Sequence, residues 1–384
     1  MVQCLNHRGE SQEAVKWADR ALQRWPNRTE AERLHLIKGT ILLDAGDAQQ
    51  AIASLETLTN ASDPALREAG HYYLGRALAD SDQGDRAVTQ FETIAGKPFE
   101  ETHAYRPYAA FALAVLQQKR GSADRAEHWF SRLVEAENVP APLREEAMFR
   151  LAEGAFVQRN YEEALKLYRR LLDEHPRGNF AGHARKRLAR AFLALGRYEN
   201  ALEQSQTWQR EYNETDPVVR YIKGAALVGL ERFAAALPLF EALSQQRDMA
   251  PEYQRLAAYQ KLYCLFSLED FSRTIGYGSR FLDQYPHAAE SADVRYYVGT
   301  AYARIGNCTD AVTYLRKAID NYTGEWPYAT AARVELADCL HKIGKTQQPA
   351  QAYRDLASRT EFWADQNMHF LVHAAPCAPE PRDY

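Results

Sequence analysis

The sequence predicts an all-α fold: an array of about ten stacked helix-turn-helix repeats. Three observations lead there. Residues 147–176, AMFRLAEGAFVQRNYEEALKLYRRLLDEHP, read as two amphipathic helices joined by a tight turn. The marks of this unit return along the chain at steps of 35–39 residues. Two helices this short cannot bury their apolar faces alone, so each pair needs the next.

Within the reference unit, Met148, Leu151, Ala152, Ala155 and Phe156 recur at three- and four-residue spacing, the period of one helix face. Ala164, Leu165, Tyr168, Leu171 and Leu172 do the same in the second helix. Arg159-Asn160 breaks the pattern, and Pro176 ends the unit because proline cannot continue a helix.

Taken from the N-terminus, a small residue opens each second helix: Ala14, Ala51, Ala87, Ala126, Ala164, Ala201, Ala236 and Ala311. Thr274 and Pro349 interrupt the series. A second small position lies on the first helices: Gly39, Gly75, Ala114, Ala152, Ala189, Gly224, Gly299 and Ala337. Small side chains at both places let two helix backbones approach closely. Gly9, Gly46, Gly121, Gly196 and Gly306 stand where a helix ends in a left-handed residue. Four residues after the alanine come Leu55, Phe91, Phe130, Tyr168, Phe240 and Leu315. A proline lies in each gap, from Pro26 through Pro64, Pro98 and Pro140 to Pro327.

This combination of small residue, turn glycine, alanine, aromatic and proline resembles the tetratricopeptide repeat. The resemblance covers nearly the whole chain and implies a right-handed α-solenoid whose first helices line a concave, ligand-binding face. The period exceeds the usual ~34 residues, and the usual first-helix Trp is absent. The units near Ala147, Ala184 and Asp293 look most like the bacterial envelope branch, the barrel-assembly lipoprotein and Tol-Pal coordinator type.

The solenoid is expected over residues 1–360, followed by a capping helix at 361–375 and a disordered tail at 376–384. Met1 falls near the last half of a first helix, so the first repeat reads as incomplete. A truncated start is compatible with a periplasmic or envelope location, and a complete one with the cytoplasm. A lone capping helix is the other reading of that end.

Composition narrows the function classes. The balance of 47 Lys+Arg against 51 Asp+Glu, net −4, predicts no nucleic-acid partner. No apolar run approaches the ~18–20 residues of a membrane span. Five scattered cysteines give neither a disulfide framework nor a zinc site. Cys308 and Cys339, in consecutive units, read as small buried hydrophobes, with pairing open in an oxidising compartment. His369 and His373 lie one helical turn apart without further ligands, so no metal or other cofactor is expected. Gly-rich phosphate loops, Gly-x-Ser-x-Gly and His-Glu-x-x-His are all missing, and no catalytic residue is nominated.

The candidate function is a non-enzymatic scaffold holding a protein or peptide segment. Tyr221, Tyr259, Tyr263 and Tyr296 fall on first helices of three successive units and supply large, rigid contact area with a polar tip. Tyr72, Phe111 and Phe149 share the recurring position, so part of this series is repeat scaffold. Lys186 and Arg190 offer a basic spot for an acidic peptide or C-terminal carboxylate, or a pairing with Glu146 and Glu153. A carboxylate-clamp co-chaperone is one alternative, though only Lys186 stands at a matching place. A non-catalytic arm of a larger enzyme or signalling protein is another. The eighth unit breaks several rules at once: Leu262 replaces the small residue, Thr274 replaces alanine, and Gly276 and Gly278 enter the second helix. Such local rule-breaking marks either a functional site or relaxed selection.

Overall fold

The structure, a computed structural model, describes residues 1–26, 29–100, 102–212, 216–246, 249–320 and 326–344. These residues are helical almost throughout, with no strand among them. In chain order the helices are α1 (Val2–His7), α2 (Ser11–Arg24), α3 (Thr29–Asp44), α4 (Ala48–Glu56), α5 (Pro64–Asp80), α6 (Gly84–Ala95), α7 (Tyr105–Lys119), α8 (Ala123–Glu135), α9 (Ala141–Val157) and α10 (Tyr161–Glu174). They continue as α11 (Ala181–Ala194), α12 (Tyr198–Tyr212), α13 (Pro217–Gly229), α14 (Phe233–Gln245), α15 (Pro251–Ser267), α16 (Phe271–Gln284), α17 (Ser291–Arg304), α18 (Cys308–Asp320) and α19 (Ala329–Lys342). The chain divides into two compact units, Met1–Ala184 and Arg185–Tyr384. The predicted cap and tail, Pro349 and the pair His369 and His373 lie outside the described residues.

Odd-numbered helices are the first of each repeat and even-numbered ones the second. Within each unit, packing runs between consecutive helices and between successive first helices, as in α3 with α5, α5 with α7, α13 with α15 and α15 with α17. Among the described residues, second helices make no comparable contact with one another. First helices therefore crowd together on one side of each unit, while second helices splay apart on the other. This is an all-α helical-repeat solenoid.

The second-helix alanines are its closest contacts, Ala14, Ala51, Ala87, Ala164, Ala201, Ala236 and Ala311 all being 0 % exposed. The first-helix glycines meet the large residue four places beyond that alanine. A Cβ placed on Gly75 would lie 2.6 Å from Phe91, and one on Gly299 would lie 2.8 Å from Leu315. A knob on the second helix thus fills a hole on the first, unit after unit.

The eighth unit keeps this fit with the partners exchanged. Leu262 is buried on α15, and Gly278 on α16 stands where most other units carry Phe, Tyr or Leu. A Cβ on Gly278 would reach Leu262 at 3.5 Å and would collide with Val298 of the next first helix. Thr274, in the alanine position, is fully buried and returns its hydroxyl to the Asp270 carbonyl at 2.8 Å. Much of the rule-breaking is therefore complementary packing.

Every hairpin turns on one residue of positive φ. Gly9, Gly46, Gly121, Gly196 and Gly306 serve five turns, with φ between 69° and 87°. Asp82, Arg159, Glu231 and Glu269 serve the rest at 57–61°. The next residues start the second helix, and Asp47, Asn160 and Asp270 accept its orphan N–H groups. The gap prolines also begin helices: Pro64, Pro217 and Pro251 occupy the first turn of α5, α13 and α15, where a missing N–H costs nothing.

Polar links tie neighbouring repeats. In the N-terminal unit, buried Glu68 accepts from Arg106 Nε at 3.0 Å and from a terminal guanidinium nitrogen at 2.8 Å. His103 Nδ1 lies 3.0 Å from the other Glu68 oxygen. Glu145 accepts the Phe180 N–H at 2.8 Å. In the C-terminal unit, Arg255 pairs with Glu290.

Candidate partner-binding surface

The six residues nominated by the sequence all lie in the C-terminal unit, on α11, α13, α15 and α17. Of these, α13, α15 and α17 belong to the crowded first-helix side. The structure separates them into two groups by burial.

Tyr259 and Tyr263 are core residues, 8 % and 6 % exposed. The Tyr259 hydroxyl donates to Asp293 Oδ2 at 3.0 Å and lies 3.3 Å from the Tyr297 hydroxyl. Tyr297 donates on to Tyr328 at 2.8 Å, and Trp326 Nε1 donates to Asp293 Oδ1 at 2.6 Å. Burial holds the Tyr259 and Tyr297 hydroxyls well above the usual tyrosine range and pushes Tyr263 up to about 12. Burial likewise raises the Asp293 carboxyl, against the lowering effect of its bonds from Trp326 and Tyr259. These groups form a buried polar network in an aromatic cluster rather than a presented surface. They differ from the expected anchors because α17, one repeat later, closes over them.

Tyr221 and Tyr296 remain half-buried. Tyr296 stacks on Tyr328, with ring centroids 4.8 Å apart and planes at 18°, and meets Trp326 edge-on at 6.2 Å. Tyr221 sits edge-on to Phe240 at 5.8 Å and to Tyr253 at 5.9 Å. Each ring is packed against neighbouring aromatic rings and keeps part of its surface in solvent.

Lys186 and Arg190 are half-buried as well. The acid that meets Lys186 is Asp216, its Oδ2 2.9 Å from Nζ. The same Asp216 caps α13 by accepting from the Val218 and Val219 N–H groups. The Lys186 ammonium also lies 5.3 Å from the Trp208 ring centroid. Its charge is thus already answered twice.

A second aromatic cluster lies in the N-terminal unit, and of its residues only Tyr72 stands at the recurring position. Tyr72, Tyr73, Tyr105 and Tyr108 lie together, with Tyr72 and Tyr105 5.5 Å apart and Tyr108 40 % exposed. The Arg76 guanidinium rests 5.9 Å from Tyr72 and 5.8 Å from Tyr73. Tyr105 and Tyr108 begin α7, ahead of the recurring position, so periodicity alone does not mark them.

Among the described residues, no helix is long and apolar enough to cross a membrane, and no three metal-ligating side chains converge. Fold and surface together define a helical-repeat scaffold, a class that recognises other proteins along its first helices. The tetratricopeptide repeat family profile matches residues 38–101, 111–179 and 298–364, more than half of the chain, and a second tetratricopeptide repeat profile matches residues 155–225. The chain belongs to the tetratricopeptide repeat family. Proteins of this kind are generally scaffolds without catalysis, and their partners are proteins or peptides.

Several solved structures are similar. MamA of Desulfovibrio magneticus is 19 % identical, with 48 % of this chain and 97 % of that one covered and a TM-score of 0.40. YrrB, a TPR protein with an unusual peptide-binding site, is 23 % identical over 50 % of this chain and 91 % of its own, also at 0.40. A tetratricopeptide repeat protein from Parabacteroides merdae is 14 % identical over 80 % and 98 %, at 0.42. No curated protein matches the chain.

Proposed function

We propose that the C-terminal unit holds an extended segment of a partner protein across its first helices, with Tyr221 and Tyr296 as the principal contacts. The observation that carries this reading is their half-buried setting on packed aromatic platforms, which supplies contact area at little entropic cost. Tyr259 and Tyr263 act from behind, fixing the helices that present the half-buried rings. Arg190 and Lys186 border the same side. The ion pair of Lys186 with Asp216 weighs against a carboxylate clamp there, because an incoming carboxylate would have to displace a helix cap. Resemblance of three repeats to the envelope branch supports the bacterial cell envelope as the place to seek the partner.

The test is affinity capture with crosslinking from the native organism. The variant Tyr221→Ala/Tyr296→Ala should lose the wild-type partner while its circular dichroism stays helical. A Lys186→Ala/Arg190→Ala variant should lose less. Undiminished capture by the tyrosine variant would remove the proposal.

A further inference from the structure

The C-terminal unit holds two cysteines that the binding surface does not use. Cys308 is the first residue of α18, and Cys339 lies in the last turn of α19. Both are free thiols, 7 % and 1 % exposed. They belong to one core cluster with Ala311, Leu315, Ala332 and Leu340, between helices that pack directly on each other. The first turn of α18 and the last turn of α19 thus bring both thiols into the same small core. Cys264 is buried on α15 outside this cluster, and Cys4 is exposed in the N-terminal unit.

We propose that Cys308 and Cys339 are a disulfide-forming pair, closed by exchange with a small-molecule disulfide such as oxidised glutathione, which locks α18 to α19. Thiols packed in one core cluster, on helices in direct contact, reach a sulfur–sulfur bond of about 2.05 Å by side-chain movement. The step balances without any other reagent. The Cys308 thiol loses its proton, and its sulfur attacks one sulfur of oxidised glutathione, releasing one glutathione and leaving a mixed disulfide. The Cys339 sulfur, giving up its proton, then attacks the Cys308 sulfur and expels the second glutathione. Cys308 is the first attacker because it is the more accessible of the two, 7 % against 1 % exposed. Burial of both makes the reaction slow, governed by local opening of the α18–α19 pair. The consequence is a crosslink between the second helix of one repeat and the first helix of the next, at the C-terminal edge of the described array.

The test uses the full chain, kept native, incubated with oxidised glutathione, then alkylated and digested with trypsin without reduction. The expected product is a single linked pair, peptide 305–316 joined to peptide 334–342, two hydrogens lighter than the separate peptides. Cys264 should be recovered alkylated as a thiol in the same digest. Cys308→Ser and Cys339→Ser should each abolish the linked pair. Three results would overturn the proposal: both thiols recovered free after prolonged oxidation, either one linked instead to Cys4, Cys264 or Cys377, or a 308–339 link that forms only after the chain is unfolded. The wild-type peptide map stands even if a serine variant folds poorly.

Discussion

Gly224 on α13 lies under the ring of Phe240 on α14: a Cβ at Gly224 would stand 2.7 Å from Phe240 Cζ. The two residues are sixteen positions apart, as are Gly75 and Phe91, and Gly299 and Leu315. That spacing is the distance around one helical hairpin, so the contact sets how closely the two helices of a repeat approach. Gly224→Ala should force the ring or the helix aside and destabilise by ~1–3 kcal/mol. Urea unfolding followed by circular dichroism gives the shift in midpoint.

The two glycines of α16 should respond with opposite signs. A Cβ at Gly276 meets nothing within 4 Å, so Gly276→Ala should stabilise by about 0.5–1 kcal/mol through helix propensity. Gly278→Ala gains the same propensity but drives a methyl group into Val298, and should be net destabilising. Thermal melting of the two variants beside the wild type decides the matter. Equal effects would refute the exchange of large and small residues between Leu262 and Gly278.

The hairpin turns give a second pair of opposite signs. Gly306 has φ 87° and open space around it, so Gly306→Ala pays only a backbone cost, ~1–2 kcal/mol. Glu231 already carries that cost at φ 57°, and Glu231→Gly should recover part of it, up to about 1 kcal/mol. Melting temperatures should fall for the first variant and rise for the second.

Much of this architecture is legible in the sequence, and what was hidden has physical causes. Ala164 and Gly306 announce themselves because each is chosen by a local demand, close helix approach or a left-handed turn. Arg159 and Glu269 meet the same turn demand without glycine, so only their offset from the next helix reveals them. The exchange between Leu262 and Gly278 requires knowing which side chains face each other across a hairpin. The burial of Tyr259 depends on Asp293, thirty-four residues ahead, and the partner of Lys186 lies thirty residues ahead at Asp216. Periodicity places such residues on a helix face but does not say what the next repeat lays over them.

Asp293 makes a prediction about pH. Its folded-state carboxyl is raised above the ordinary value, chiefly by burial, which reverses the common carboxylate case. The unfolded chain ionises first as pH rises, so stability from this group is highest below the unfolded value and declines as pH climbs through the folded one. Asp293→Asn keeps an acceptor for Trp326 and removes the ionisation. Wild type minus variant stability should therefore fall as pH rises above the ordinary aspartate value of about 3.9. A difference that is flat or rises above that value would contradict the assignment.

The Glu68–Arg106 pair is buried on both sides, with side chains 6 % and 8 % exposed. Glu68→Ala strands the Arg106 charge in the core and should cost about 3–5 kcal/mol, far more than an exposed pair such as Lys166 with Glu163. Replacing Glu163 by alanine should move the urea midpoint little by comparison.

The central claim is that the first-helix side of the C-terminal unit is where a partner segment lies. Its most direct measurement places a photo-activated crosslinking residue at Tyr221 or Tyr296 on first helices, and at exposed Glu203 on second helix α12, in the native organism. The account predicts that the same partner is captured from Tyr221 and Tyr296 and not from Glu203. Capture from Glu203 with none from the two tyrosines would contradict it.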